Sequence, residues 1–411
     1  MSEPYFQKLF AERIGGINYG KSTEIYKFEK IKRAKRKALA DFPQRHLLDF
    51  GIGENDAMAA PQVRVRMTEE LNKLENRGYA DNGCLEYKEA VARFMKRRFG
   101  VTLDPMTEIN HCIGSKTALA MIPDAFINPG DVTLMTVPGY PVAGTHTRYN
   151  GGTVHALALR AENDFYPDLT SIPDDVLAKA KLLVVNYPNS PTGQLGTMKF
   201  FDSLVEFAHK NEIVIVQDAA HSMFSFRAKP ISFLEADGAK EVGIEVHSMS
   251  KGWNMIGWRL GWFCGNATIV RAVADVKDNS DSGQFLAIQK AAALALDDDS
   301  IPDQARAKYH RRLQKLVSAL NQFGFHCSVP GGTYFLYAQA PKGLRDGHRF
   351  NNAEEVSQFL ITQQSVCTVP WDDAGAFLRF SVTYLADGET GEDALMSELS
   401  ERLAHIGFVF D

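Results

Sequence analysis

The sequence predicts an α/β fold, in which a large domain built on a mainly parallel sheet lies between helices and a smaller α+β domain adjoins it. In the middle of the chain, short apolar runs rich in β-branched residues alternate with longer segments of helical periodicity. The chain has 411 residues, more than one compact core usually holds. Together these observations favour two domains.

The predicted elements follow this plan along the chain. Residues 1–55 are expected to form an N-terminal arm and part of the smaller domain, with a strand over 47–50. Residues 56–298 form the large domain, with strands over 132–137, 181–186, 213–217, 244–247 and 260–264 and helices over 115–126, 198–210 and 267–277. Residues 299–411 complete the smaller domain, with helices over 304–323 and 353–364 and strands over 333–338 and 377–383.

The composition indicates a cytoplasmic protein that binds neither nucleic acid nor membrane. The net charge is -5, so bulk charge favours no polyanionic partner. The five cysteines are scattered and form no C-x-x-C pair, so we expect neither a disulfide framework nor a metal site. Charged residues interrupt the first segment, and no apolar run is long enough for a membrane span, so neither a secretory signal nor an anchor is expected.

Two short patterns suggest other ligands, but their context argues against both. Gly15, Gly20, Lys21 and Ser22 match the nucleotide-binding pattern G-x-x-x-x-G-K-[ST], yet a helical pattern and not a buried strand precedes them. The basic run 30–37 could contact a nucleic-acid backbone. No groove-reading motif accompanies it, so a solvated helix face is the simpler interpretation.

The strongest chemical signal is Lys251 with its neighbours Ser248, Ser250 and Arg259. This spacing brings an amine, two hydroxyls and a fixed cation into one small volume. A phosphorylated aldehyde cofactor such as pyridoxal 5′-phosphate needs these groups, because the lysine can bond its aldehyde and the others can hold its phosphate.

Further polar and aromatic residues stand at the ends of predicted strands, where ligands of parallel sheets bind. Tyr140 could stack on a planar ring or pack as a core tyrosine. Asn189 lies in a polar strand exit stiffened by prolines. Asp218 ends a very apolar strand and needs a cation such as a protonated ring nitrogen, unless it caps a helix. Ser115 and Lys116 begin a helix, where their amides could face an anion or form a plain N-terminus.

Together these segments resemble the class I and II aminotransferases. The resemblance extends from Leu-Asp-Phe-Gly-Ile-Gly at 48–53 to Leu-Arg-Phe-Ser at 378–381. Its specific part is Ser-x-Ser-Lys followed by Gly-x-Arg-x-Gly, preceded in order by Asn-Ser-Pro-Thr-Gly and a strand-terminal aspartate. The resemblance implies the aspartate aminotransferase fold and the cofactor pyridoxal 5′-phosphate.

The resemblance also implies roles for single residues. Lys251 would hold the cofactor covalently and move a proton at the substrate, and Asp218 would keep the ring nitrogen protonated. Tyr140 would stack on the ring, while Arg379 and the backbone at Gly53 would bind the substrate α-carboxylate. The residues implied in phosphate binding are Ser115, Lys116, Ser248, Ser250 and Arg259. Tyr79 resembles a tyrosine that reaches the phosphate of the neighbouring subunit, which implies a homodimer with shared active sites.

The chain departs from the family pattern at three positions. Ser190 stands where the family usually has asparagine, with Asn189 just before it, so either could meet the ring hydroxyl. His221 replaces a tyrosine three residues after the aspartate. Because histidine titrates near neutral pH, we expect a pH profile unlike that of a tyrosine-bearing relative. Tyr79 is one residue nearer to Gly83 than in many relatives.

Within the family, the chain is most similar to the group that acts on LL-diaminopimelate, with glutamate and 2-oxoglutarate as the other amino-acid and oxo-acid pair. Gly-Ser-Lys at 114–116 and Val-His-Ser-Met-Ser-Lys at 246–251 are among the stretches that carry this similarity. The substrate bears an ammonium and a carboxylate at its far end, so the distal contacts must be polar. Candidate residues for that contact are Tyr26, Asp81, Asn82 and Asn279. Asn189 is also expected to contact the substrate.

Other functions remain open on the residues alone. An aminotransferase for aspartate, alanine or aromatic substrates would share every cofactor residue, and so would a C-S lyase of the same fold. A transcription regulator on this fold would need an added DNA-binding module, and only some 45 residues precede the strand at 47–50.

Overall fold

The computed structural model describes residues 5–21, 27–227 and 229–410. Its α-helices are α1 (Lys27–Asp41), α2 (Pro61–Leu71), α3 (Leu85–Phe99), α4 (Ser115–Phe126), α5 (Val142–Tyr149), α6 (Asp174–Leu177), α7 (Met198–Asn211), α8 (Ala239–Val242), α9 (Met249–Gly252), α10 (Ala267–Asp278), α11 (Leu286–Leu296), α12 (Ser300–Asn321), α13 (Ala353–Gln364) and α14 (Gly388–Leu403). Its strands are β1 (Leu48–Asp49), β2 (Ile109–Cys112), β3 (Val132–Val137), β4 (Thr153–Ala158), β5 (Ala180–Asn186), β6 (Val214–Asp218), β7 (Gly243–Ser248), β8 (Gly261–Gly265), β9 (Phe335–Gln339), β10 (Gly343–Leu344), β11 (Val366–Cys367), β12 (Val369–Trp371), β13 (Phe377–Ser381) and β14 (Phe408–Val409).

A seven-stranded sheet forms the centre of the large domain, in the order β2-β8-β7-β6-β5-β3-β4. Strands β3 to β7 are parallel to one another, which confirms the predicted α/β class. Strand β8 runs antiparallel to β7, because the short α9 and a loop return the chain beside β7 without crossing a face of the sheet. The edge strand β4 was not expected, because only one of its six residues is buried and Thr153 and His155 interrupt its apolar residues.

Helices cover both faces of this sheet, which explains why the central strands are buried on both faces. In β5, residues 182 to 185 are at most 5% exposed although their side chains point alternately to opposite faces. Helices α3, α7 and α11 contribute to the core on one face, and α4 and α10 contribute to the core on the other.

The smaller domain is built mainly from the C-terminal elements. Strands β12, β13 and β9 form a three-stranded antiparallel sheet, and α12, α13 and α14 pack around it. Strand β1 pairs in parallel with β11, and α1 packs against α13, so residues of the N-terminal segment join this domain. No helix among the described residues is long and apolar enough to cross a membrane.

The two misleading sequence patterns have ordinary structural explanations. Gly15 and Gly20 lie among single 3-10 turns in the described stretch 5–21, with no strand before them, while Ser22 lies outside the described residues. The basic run falls on α1, where Lys30 pairs with Glu354 and Lys35 with Asp49. These two lysines therefore bind the protein's own carboxylates.

Candidate active site

A cavity of about 340 Å³ opens at the carboxyl ends of the parallel strands, facing the smaller domain. This is the edge at which parallel sheets bind ligands, because the polar strand ends and the helix N-termini meet there. Predicted site residues that line it are Gly53, Ser115, Lys116, Tyr140, Ser190, Asp218, His221, Ser248, Ser250, Lys251, Arg259 and Arg379. Lining residues that sequence reasoning missed are Glu54, Asn186, Ala220, Ile256 and Phe335.

Lys251 is held by the junction between β7 and α9. The Ser248 side chain caps α9 by accepting a hydrogen bond of 3.1 Å from the Ser250 N–H. The Lys251 amino group donates to the Gly53 carbonyl at 3.0 Å, and the backbone carbonyl of Lys251 accepts from the Asn55 side-chain amide at 2.6 Å. The amine is thereby aimed across the cavity, at the segment that links the two domains.

Asp218 ends β6 deep in the cavity, with only 5% of its surface exposed. Its Oδ1 accepts from the Ala220 N–H at 3.1 Å, and no ion pair to it is found among the described residues. Burial raises the pKa of this carboxyl to about 6, against the opposing effects of that hydrogen bond, His247 and Lys251. A cationic ring nitrogen would supply the partner that this carboxylate lacks.

His221 is also buried, and its Nδ1 has no hydrogen-bond partner among the described residues. Burial, followed by the nearby charges of Lys251 and Arg379, holds the pKa of this imidazole well below 6.5. The ring is therefore neutral at neutral pH. This result contradicts the expectation that His221 titrates near neutral pH.

Arg259 and the N-terminus of α4 form an anion-binding corner. Gly114, with φ of 75°, precedes α4, and a Cβ there would collide with the Arg259 guanidinium. The same guanidinium donates to the Ser250 hydroxyl at 3.1 Å and to the Ile256 carbonyl at 2.8 Å. A fixed cation beside the N–H of Ser115, the first residue of a 12-residue helix, suits a phosphate group.

Arg379 enters the cavity from β13 of the smaller domain. Its Nη2 donates to the Gly51 carbonyl at 3.0 Å, and Phe335 lies 4.3 Å from its guanidinium carbon. Its Nε is buried and has no hydrogen-bond partner among the described residues. Burial lowers the pKa of Arg379 to about 10, so the side chain is still a cation at neutral pH and can bind a carboxylate.

These polar groups fit the cofactor implied by the resemblance. The His221 Nδ1 and the Arg379 Nε are buried without a hydrogen-bond partner among the described residues, and the buried Asp218 carboxylate has no cation partner among them. A bound ligand could supply these partners. An amine, an anion-binding corner and an aromatic ring, that of Tyr140, complete the lining of the same cavity. Pyridoxal 5′-phosphate combines a ring nitrogen, an aldehyde and a phosphate, so each of its parts has a matching group here.

Several predicted residues lie away from this cavity. Asn189 is fully buried, and its Oδ1 accepts from the Thr192 N–H and hydroxyl, so it supports the loop without lining the cavity. Asn279 bonds the Asp275 carbonyl at the end of α10, and Asn82 bonds Asp278.

Two further candidates, Tyr79 and Asp81, also fall outside the cavity of this subunit. Tyr79 is 84% exposed, and Asp81 follows it in a turn with φ of 39°. Tyr26 lies outside the described residues.

Asn186 is the residue that sequence reasoning could have found. It is the last residue of β5 and the only polar side chain in the buried part of that strand, at the same edge as Asp218. Its Nδ2 donates to the Asp218 carbonyl at 2.8 Å, and its Oδ1 accepts from the Ser190 N–H. It therefore lies where Asn189 and Ser190 were considered as partners of the ring hydroxyl.

The chain matches the family described as aminotransferase class I and II over residues 45–393. It is 51% identical to the LL-diaminopimelate aminotransferase of Methanocaldococcus jannaschii, with all of both chains covered. The enzyme of the same name from Syntrophobacter fumaroxidans is 36% identical, over 93% of this chain and 96% of the relative.

Solved structures give the same picture of the fold. The substrate-bound BacF structure from Bacillus subtilis superimposes with a TM-score of 0.85 and 29% identity, covering 95% of this chain and 97% of that one. A probable N-succinyldiaminopimelate aminotransferase from Thermus thermophilus superimposes with a TM-score of 0.82 and 26% identity, covering 92% and 99%. Both similarities extend over both domains.

Proposed function

The chain belongs to the class I and II aminotransferases, and we propose that it transfers an amino group between LL-2,6-diaminopimelate and 2-oxoglutarate. The products are tetrahydrodipicolinate and glutamate, and the reverse direction would serve lysine and peptidoglycan biosynthesis. The observation that carries the choice of substrate is the 51% identity to an LL-diaminopimelate aminotransferase over the full length of both chains. The family is dependent on pyridoxal 5′-phosphate, and the cavity described above fits that cofactor.

When bound, pyridoxal 5′-phosphate supplies an aldehyde that joins amines and a ring that accepts the electron pair left by a departing proton. Lys251 would attach the cofactor through Nζ. Once a substrate amine displaces it, the free amino group would carry a proton to and from the substrate Cα. Its donor contact with the Gly53 carbonyl keeps the amine inside the cavity.

The other residues would bind and orient. Asp218 would hold the proton on the ring nitrogen through charge pairing, since it has no other cation partner among the described residues. Arg259, Ser250 and the first amides of α4 would hold the phosphate. Arg379 would bind the α-carboxylate that every amino-acid substrate carries, so substrate choice depends on other residues.

We also propose a cytoplasmic homodimer. One group of exposed apolar side chains lies on α2 and the following turn, where Val65, Leu71 and Leu74 are 59%, 58% and 75% exposed. Such a patch is typical of a surface that another subunit covers. Tyr79 lies next to it, 84% exposed, in a position consistent with its predicted reach toward a neighbouring active site. The five free cysteines suit a reducing compartment.

A donor comparison tests the proposed reaction. The purified enzyme is supplied with 2-oxoglutarate and one of LL-diaminopimelate, meso-diaminopimelate or aspartate, and glutamate formation is measured. We expect a strong preference for the LL isomer. A preference for aspartate would overturn the substrate choice, and release of pyruvate and ammonia from cystathionine would indicate a lyase.

A further inference from the structure

The segment 51–53, which forms one lip of the cavity, is attached to the smaller domain through each of its carbonyl groups. Three successive carbonyl oxygens each accept a hydrogen bond from a side chain that lies in or beside β9 or β13. These bonds are Arg379 Nη2 to Gly51 at 3.0 Å, Thr383 Oγ1 to Ile52 at 2.9 Å and Tyr334 OH to Gly53 at 2.8 Å. The position of the lip is therefore set by three donors of the smaller domain.

The third of these carbonyls also contacts the reactive lysine. The Gly53 oxygen accepts from the Lys251 amino group at 3.0 Å, so the amine and the Tyr334 hydroxyl share its two lone pairs. The same amino group lies 5.4 Å from the centre of the Tyr334 ring, within range of a cation–π attraction. The Tyr334 hydroxyl, through the Gly53 carbonyl, and the Tyr334 ring therefore both help to fix the position of the Lys251 amino group.

Tyr334 itself has little freedom to move. Its side chain is fully buried, and its ring packs edge-on against those of Tyr309, at 5.3 Å between centres, and His221, at 5.2 Å. A buried phenol requires a hydrogen-bond partner, and the Gly53 carbonyl provides it. The contact is therefore a fixed feature of the folded cavity.

We propose that Tyr334 is a positioning residue for Lys251. Its hydroxyl orients the Gly53 carbonyl, which receives the lysine amino group whenever that group is not bonded to the cofactor, and its ring completes the resting place. An amine held near the reacting atoms meets the aldehyde more often in a productive orientation than a freely rotating one. The inference rests on the proposed attachment of the cofactor to Lys251, and it applies whichever amino acid is the substrate.

The test compares Tyr334→Phe with a matched control, Tyr309→Phe. Both changes remove only a hydroxyl from a buried tyrosine of one aromatic cluster, but the Tyr309 hydroxyl donates to Asp56 at 3.0 Å and not to the lip. Cofactor-free protein is mixed with pyridoxal 5′-phosphate, and absorbance follows its attachment. In that step the lysine amine condenses with the aldehyde and water leaves. Thermal unfolding of each cofactor-free variant is recorded in parallel.

We expect Tyr334→Phe to slow attachment and to lower kcat, each roughly 3- to 10-fold, as the loss of one neutral hydrogen bond allows. KM should stay close to that of the wild type, and Tyr309→Phe should attach the cofactor at the wild-type rate. If cofactor attachment were slowed equally in both variants, the effect would come from altered packing of the aromatic cluster, and the proposal would be overturned. An unchanged attachment rate in Tyr334→Phe would also overturn it. Wild-type protein that attaches no cofactor at Lys251 would instead refute the role of the lysine itself.

Discussion

Replacing Asp218 by asparagine should stabilise the cofactor-free protein while it removes most of the aminotransferase activity. Burial raises the pKa of this carboxyl from 3.8 to about 6, so holding it ionised in the folded state costs about 3 kcal/mol at pH values above 6. Asparagine has nearly the same shape, and its Oδ1 can still accept from the Ala220 N–H at 3.1 Å. The variant should therefore keep the hydrogen bond and avoid the free-energy cost of a buried charge.

The effect depends on pH in a defined direction. The folded cofactor-free protein binds the Asp218 proton more tightly than the unfolded chain does, so the wild-type free energy of unfolding rises as the pH falls through about 6 toward 3.8. The advantage of the variant should be about 3 kcal/mol near pH 8 and shrink to about 1.5 kcal/mol near pH 5. Activity should be lost at both values, since asparagine cannot pair with a ring cation.

Urea unfolding of the cofactor-free wild type and variant at the two pH values measures this difference. Asp202→Asn is the control, because Asp202 is an exposed carboxylate on α7 and forms no ion pair among the described residues. This control substitution should change the free energy of unfolding only slightly, and by the same amount at both pH values. If Asp218→Asn is no more stable than the wild type near pH 8, or if its advantage does not shrink in acid, the account of this carboxyl is wrong.

Three further predictions concern other parts of the molecule. Gly114→Ala should displace the Arg259 guanidinium and weaken cofactor binding more than 10-fold, roughly the loss of one charged hydrogen bond. Absorbance titration measures this affinity, and an unchanged affinity would contradict phosphate binding at the anion-binding corner. Arg379→Lys should lower kcat/KM for every amino-acid substrate, roughly 10- to 150-fold, because lysine cannot form the bidentate pair; an effect on one substrate alone would place the α-carboxylate elsewhere. Glu392→Gln should lower the free energy of unfolding by about 3 kcal/mol, because this buried carboxylate pairs with Arg312 at 2.8 Å and with Arg311 at 2.9 Å, and Arg312 would keep only its pair with Asp56. Urea unfolding within about 1 kcal/mol of the wild type would contradict this.

The periodicity of the chain was sufficient to predict most of the central fold. The predicted strand over 132–137 and the helices over 115–126 and 353–364 agree with β3, α4 and α13 at both ends. A strand buried on both faces must be apolar throughout and a covering helix must be amphipathic, so these elements are visible in the local sequence. The direction of β8 and the presence of the edge strand β4 are not visible in the local sequence, because both depend on which strand the chain pairs with in the fold.

The site was predictable where its chemistry lies at strand ends. Lys251, Asp218 and Arg259 line one cavity because β6, β7 and the loop before β8 reach the same edge of the sheet. The sequence left Asn189 and Ser190 open as partners of the ring hydroxyl and gave no role to Asn186. Only the folded loop places Asn186 and Ser190 at the cavity, while the Asn189 side chain accepts hydrogen bonds from Thr192 instead.

The sequence by itself determined the fold class and the chemical character of the residues that line the cavity, because both are local properties of composition and spacing. Only the tertiary structure decided the charge states and contacts that those residues acquire. The neutral imidazole of His221, the raised pKa of Asp218 and the meeting of Tyr334 with Lys251 all arise from burial and from segments far apart in the chain. Desolvation and Coulomb interaction depend on distance in space, which no local pattern of residues specifies.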